Sequence, residues 1–266
     1  MGCMIWNPEP LLDLGFMTLR WYGLLFGGGI LLGFPLLAWQ FRRAGYPEKT
    51  PVFLAWCMAL GMLIGAWLGH RLFYEGQRLW RDPTALFTLD GPLTGLSSHG
   101  ATVGILAAAW LFARCSGIRF LELGDRMVFA VALVASSVRL GNLMNSEIVG
   151  TRTDRPWGVC FVRYDGVSDL ARHPVQLYEA AMTLALLGML VLLDRWAGGE
   201  RRPPGLLMGG FGVGYFGGRF ALEFFKERMG IDHELPLSMG QMLSIPFVLI
   251  GLWLVVRAFR SRSAGP

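Results

Sequence analysis

Residues 138–150 read VRLGNLMNSEIVG, and they follow MVFAVALVASS, a run apolar enough to sit in hydrocarbon. An apolar helix that ends in an arginine, two asparagines and a glutamate poses a physical problem. Polar groups are costly in a bilayer unless they are paired or face a wet cavity. At about 100° per residue on a helix, Arg139, Asn142, Asn145 and Ser146 fall within one arc of about 120°. Gly141 lies beside that arc and leaves room for a ligand or another backbone, while Glu147 points elsewhere and can act as a support. A span simply emerging into water would be polar all round. One polar face on an apolar helix predicts a face turned into a helical bundle. The competing reading is an arginine snorkelling to the interface, with asparagine as packing glue.

The rest of the chain fits a membrane. Its 266 residues are 53% hydrophobic and only 16% charged, with a mean hydropathy of +0.45. A soluble domain carries about 25% charged residues. No polar linker divides the chain, so a single polytopic membrane domain over 1–266 is expected. The net charge is +5, and only two of the 24 basic residues are lysine. The arginines stand singly between apolar runs, so no nucleic-acid partner is implied; the positive-inside bias accounts for them. The four cysteines, Cys3, Cys57, Cys115 and Cys160, show neither metal spacing nor a paired pattern and read as buried hydrophobes or free thiols. No basic flank of a signal peptide precedes the first apolar run.

Seven runs are candidates to cross the bilayer, near 21–41, 52–74, 99–115, 125–145, 176–194, 205–225 and 238–257. Short arginine-rich connections follow the first, third, fifth and last, which places those on the cytoplasmic side. The expectation is an all-α bundle of seven transmembrane helices, N-terminus out and C-terminus in. The outer segments 75–98 and 146–175 are rich in turn formers, aromatics and charge, and read as re-entrant structure or a small periplasmic cap.

Further constellations carry chemistry. In GVGYFGGRFALEFFKE, residues 212–227, Tyr215, Arg219 and Glu223 are spaced i, i+4, i+8 along one stripe, with Glu223 offsetting Arg219. Two guanidiniums at bilayer depth imply an anion, because their planar donor fork fits phosphate. In a membrane that anion is most simply a phospholipid head group. In SSHGATVG, His99 stands where a loop meets the third span, and imidazole suits proton transfer near neutral pH. His173 and Pro174 open the fifth span, and Gln176, Tyr178 and Glu179 read as structural support. Tyr22 lies in RWYG at the outer end of span one, where Arg20 and the aromatics also suit the interface. The glycine-rich GFGVGYFGG lies in a span, not after a strand, so it is no nucleotide loop.

The order RWYG, SSHG, RLGNLMNSE with Gly150, RHPVQLYEA, GYFGGRFALEFF and LSMGQMLSIP resembles the prolipoprotein diacylglyceryl transferase family from end to end. That resemblance implies an inner-membrane enzyme of bacteria. It would move the diacylglyceryl group of phosphatidylglycerol to the lipobox cysteine in the signal peptide of a preprolipoprotein, releasing glycerol phosphate, with no cofactor or metal. It implies catalytic roles for His99, Arg139 and Arg219, and substrate-binding roles for Tyr22, Asn142, Asn145, Glu147, Gly150, Tyr215 and Glu223. Where the family carries an arginine in the second span this chain has Trp67, with Arg71 one turn on. A transporter or channel for an anionic solute is the competing class.

Overall fold

The computed structural model describes residues 3–75, 80–82, 84, 97–228 and 236–263. It is mostly helical, and among the described residues five helices are long and apolar enough to cross a membrane: Trp21–Arg43, Lys49–Phe73, Phe120–Met144, Val175–Trp196 and Met239–Ser261. Their exposed surface is apolar, with Leu31, Trp56, Leu192 and Trp253 outward, whereas Asn142, Gln176 and Gln241 are buried. Polar groups inside and apolar groups outside is the arrangement a lipid solvent selects. Most of segment 75–98 and His233 lie outside the described residues.

The long helices are α1 (Trp21–Arg43), α2 (Lys49–Tyr74), α3 (Ser98–Ser116), α4 (Phe120–Met144) and α5 (Val175–Trp196). A broken run follows. It comprises α6 (Leu206–Phe211), a π-helical turn Gly212–Phe216, α7 (Gly217–Leu222) and a 3-10 turn Glu223–Phe225. Helix α8 (Met239–Ser263) closes the chain. The structure divides into two compact units, residues 38–123 and residues 1–37 with 124–266.

In the 38–123 unit, α2 and α3 lie against each other through glycines. A Cβ on Gly61 would stand 2.6 Å from the Ala108 Cβ, one on Gly100 2.8 Å from the Gly69 Cα, and one on Gly104 2.9 Å from the Gly65 Cα. Two small-xxx-small rows, Gly61-Gly65-Gly69 and Gly100-Gly104, therefore let the backbones touch, which is how helices associate where no hydrophobic force drives them. Ser97 caps α3 by accepting from the Gly100 N–H, and Gly117 ends it at φ 72.

In the other unit, Val128, Phe129, Leu186, Leu190 and Leu207 form the apolar centre. The buried Asp125 carboxylate accepts from the Gly205 and Met208 N–H groups, both at 2.7 Å, and so caps α6 from a neighbouring helix. Arg202 pairs with Asp194 at 2.7 Å, and Arg126 with Glu200 at 3.0 Å. The LSMGQ stretch is a capping box on α8: the Gln241 N–H donates to the Ser238 hydroxyl and the Ser238 N–H to the Gln241 side-chain Oε1.

The chain is mostly helical, as expected of an all-α membrane protein, with short strands outside the long helices. Strands β1 (Met4–Trp6), β4 (Val159–Phe161) and β5 (Ala171–Arg172) form a three-stranded sheet, and β2 (Leu11–Asp13) pairs with β3 (Thr18–Arg20) in a hairpin. Short extended pieces of this kind leave no hydropathy signal in a chain dominated by apolar helices. One sequence expectation needs correction, since the cysteines are not all free thiols: Cys3 and Cys160 form a disulfide, made possible by the parallel pairing of β1 with β4. Their separation of 157 residues hides the pairing in the sequence.

Candidate active site

Helix α4 carries Arg139 and Asn142 on its last turns and then ends differently from the sequence expectation. The Ser146 N–H donates to the Leu143 carbonyl and the Glu147 N–H to the Asn142 carbonyl. This is a Schellman cap with Ser146 in the left-handed region at φ 54, where glycine is usual. Asn145 still makes the helical bond from its N–H to the Gly141 carbonyl at 3.2 Å, whereas Ser146 leaves the helix and with it the polar arc. The turn turns Glu147 back: Asn142 Nδ2 donates to Glu147 Oε2 at 3.3 Å and Asn145 Nδ2 to Glu147 Oε1 at 2.9 Å. Glu147 is the support for both asparagines. Gln176, on the first turn of α5, donates to the Glu147 carbonyl at 2.7 Å. The space beside Gly141 is taken by the Tyr22 ring, whose Cδ2 would lie 2.8 Å from a Cβ there. Gly150 is fixed by packing, since a Cβ would collide with the His173 carbonyl and with Val175 Cγ2 at 2.7 Å.

The partner of Arg139 comes from α5. Its Nε stands 3.1 Å from Glu179 Oε2, as a close ion pair without linear hydrogen-bond alignment, and its Nη1 makes a long 3.4 Å contact to Asn142 Oδ1. The other oxygen, Glu179 Oε1, lies 2.8 Å from Lys226 Nζ, and the same ammonium reaches Glu223 Oε2 at 3.0 Å. Arg139, Glu179, Lys226 and Glu223 therefore form one chain of alternating charge. Glu179 and Lys226 are buried, and a glycine at 240 makes room for the Glu223 carboxylate.

Glu223 does not offset Arg219 as expected: it engages Lys226, and among the described residues Arg219 has no ion-pair partner. The physical reason is the ammonium three residues on, which stands 3.0 Å from the carboxylate. The π turn at Gly212–Phe216 and the 3-10 turn at Glu223–Phe225 flank the regular α7 that carries Arg219. Tyr215 packs on the apolar centre, stacked on Phe211 at 5.2 Å between ring centroids.

Segment 146–175 is held by Arg172. Its guanidinium binds Asp165 through two bonds of 2.8 and 2.7 Å, and also donates to the Gly150 carbonyl and to Glu227, both at 3.0 Å. The Asp165 bonds push its pKa further up. His173 Nδ1 meets the Tyr178 hydroxyl at 3.1 Å, and Trp157 donates to that hydroxyl at 2.8 Å. Burial, with the nearby Arg155 charge, lowers the His173 pKa.

His99 belongs to the 38–123 unit, exposed on the first turn of α3. In that unit Arg71 is buried, stacks on Trp67 at 5.5 Å and pairs with Glu75 at 3.4 Å.

A sequence model of the prolipoprotein diacylglyceryl transferases matches residues 9–257. The chain belongs to the prolipoprotein diacylglyceryl transferase family. It is 39% identical over 264 residues to the phosphatidylglycerol–prolipoprotein diacylglyceryl transferase of Tolumonas auensis, covering 98% of this chain and 99% of the relative. It is 40% identical to the protein of the same name from Chloroherpeton thalassium, covering 97% and 95%, and 37% identical to that of Porphyromonas gingivalis, covering 96% and 95%. Within this family member, sequence reasoning missed Lys226 and the direct hold of Glu179 on Arg139. The available signal was compositional: Lys226 is one of only two lysines, and it sits at the end of an apolar helix.

Proposed function

We propose that the chain transfers the sn-1,2-diacylglyceryl group of phosphatidylglycerol to the thiol of a prolipoprotein cysteine. The observation that carries this reading beyond relatedness is Arg139: a guanidinium on an apolar spanning helix, held at Nε by Glu179 and at Nη1 by a long contact to Asn142, with Nη2 left for an anion among the described residues. The thiolate attacks the glycerol carbon that bears the phosphate. A carbon–sulfur bond forms, the carbon–oxygen bond breaks, and glycerol phosphate leaves with the electron pair. Arg139 and Arg219 stabilise the charge on the leaving phosphate, and the planar fork of arginine suits that task better than an ammonium. His99 takes the thiol proton. Tyr22, Asn142, Asn145, Glu147, Gly150, Tyr215 and Glu223 shape the lipid site, with Glu147 holding the two asparagines.

The acceptor is the lipobox cysteine of a preprolipoprotein signal peptide, presented from the bilayer. The chain works as one domain over 1–266 with seven spans in the bacterial inner membrane, N-terminus out and C-terminus in, and with 146–175 as an outer cap. The Cys3–Cys160 disulfide supports that orientation, because disulfides persist outside the reducing cytosol. The anion-transporter reading has no support among the relatives, which are named as transferases.

The test is purified protein with phosphatidylglycerol and a lipobox peptide. Glycerol phosphate released only when the peptide carries its cysteine is the expected result. Lipid turnover indifferent to the peptide thiol, or none at all, would overturn it.

A further inference from the structure

We propose that Lys226 is a positioning residue that keeps the Nη2 end of Arg139, beyond its long Nη1 contact to Asn142, open for the lipid phosphate. The inference rests on the reading of Arg139 as a phosphate ligand. Arginine and carboxylate prefer a two-bond fork. Glu179, buried beside Arg139, approaches its Nε through Oε2 at 3.1 Å, while Oε1 lies 2.8 Å from the Lys226 ammonium. The ammonium is not free to leave. Lys226 is buried, its backbone bridges Gly150, its N–H donates to the Glu223 carbonyl at 3.2 Å, and the next residue's N–H donates to the Val149 carbonyl at 3.1 Å. Glu223 draws the ammonium from the other side at 3.0 Å.

Removing the ammonium leaves Glu179 Oε1 buried and unpartnered, which is costly for a charged acceptor. The nearest remedy is rotation of the carboxylate onto Arg139 as a full fork. That ties up the N–H groups a phosphate needs, so the enzyme binds its lipid less well, and because Arg139 also stabilises the leaving phosphate, kcat falls as well. The signature is a rise in KM together with a fall in kcat, both relieved when the clamping carboxylate is removed.

Four enzymes are compared with phosphatidylglycerol as the varied substrate: wild type, Lys226→Met, Lys226→Met/Glu179→Gln and Lys226→Met/Glu223→Gln. Lys226→Met should raise KM about tenfold or more, the size of one charge-assisted hydrogen bond. Adding Glu179→Gln removes the group that clamps Arg139 and should recover most of the KM. Adding Glu223→Gln restores the same charge balance but leaves Glu179 free to clamp, so KM should stay high. A KM within about twofold of wild type for Lys226→Met would overturn the inference. So would equal recovery in the two double variants, which would mean that net charge alone matters. If Lys226→Met fails to fold, the two charge-balanced doubles decide by their difference. Arg139→Lys run alongside separates the two ideas: full turnover there removes the phosphate reading itself, whereas an impaired Arg139→Lys beside an indifferent Lys226→Met removes only the role of Lys226.

Discussion

Ser146→Gly should make the protein more stable. Ser146 is a buried residue at φ 54, capping α4 in the left-handed region, and its hydroxyl finds no hydrogen-bond partner among the described residues. The left-handed conformation costs an L-residue about 1–2 kcal/mol. A buried unpaired hydroxyl adds about 1–3 kcal/mol. Against these, glycine loses more backbone freedom on folding, about 0.5–1 kcal/mol. The balance favours glycine by about 1–4.5 kcal/mol. Two variants separate the contributions. Ser146→Ala removes only the hydroxyl, while Ser146→Gly also relieves the backbone. Thermal unfolding in one detergent should rank Gly above Ala and Ala above wild type. If Ser146→Gly is no more stable than Ser146→Ala, the backbone at this cap is not strained and the account of the turn is wrong. If the turn is held strained for the benefit of Asn145 and Glu147, the more stable Gly variant should also turn over more slowly.

Asp125→Ala strips two N–H groups of α6 of their acceptor and should cost on the order of 3 kcal/mol, read as a lower unfolding temperature, whereas Asp125→Asn keeps an acceptor and should recover part of it. His173 has its pKa lowered in the fold, so its contribution is complete above the ordinary histidine value of about 6.5 and is lost as pH falls toward the lowered one. The drop in unfolding temperature on acidification from neutral should therefore be smaller in His173→Gln than in wild type; an identical drop would remove His173 as the cause. His99→Gln should lower turnover by roughly 10²–10⁴, with partial rescue at high pH where the thiol ionises unaided, and a loss that does not vary with pH would make His99 structural.

Hydropathy located the helices because a bilayer demands long apolar runs, and α4 with its terminal Arg139 and Asn142 was legible for that reason. What followed Met144 was not. A helical wheel continues through Ser146, whereas the chain leaves the helix there through a cap that glycine normally marks. The same limit hid the π and 3-10 turns of 212–225 and the engagement of Glu223 by Lys226 instead of Arg219. The pairing of α2 with α3 was written in the spacing of Gly61, Gly65 and Gly69 and of Gly100 and Gly104, although it was not used. Contacts between distant residues leave no local pattern. Glu179 was recognised as support, but its hold on Arg139, 40 positions away in the sequence, and the Cys3–Cys160 bond required the fold.

The central claim is that a membrane-embedded guanidinium at position 139 recognises the phosphate of the lipid donor. Turnover of Arg139→Lys, measured as diacylglyceryl mass added to a lipobox peptide at fixed phosphatidylglycerol, tests it most directly. Lysine keeps the charge and loses the fork, so transfer should fall by roughly a hundredfold, about 3 kcal/mol of transition-state stabilisation, with the protein folded and in the membrane. Near-full transfer by the folded Arg139→Lys protein would contradict it.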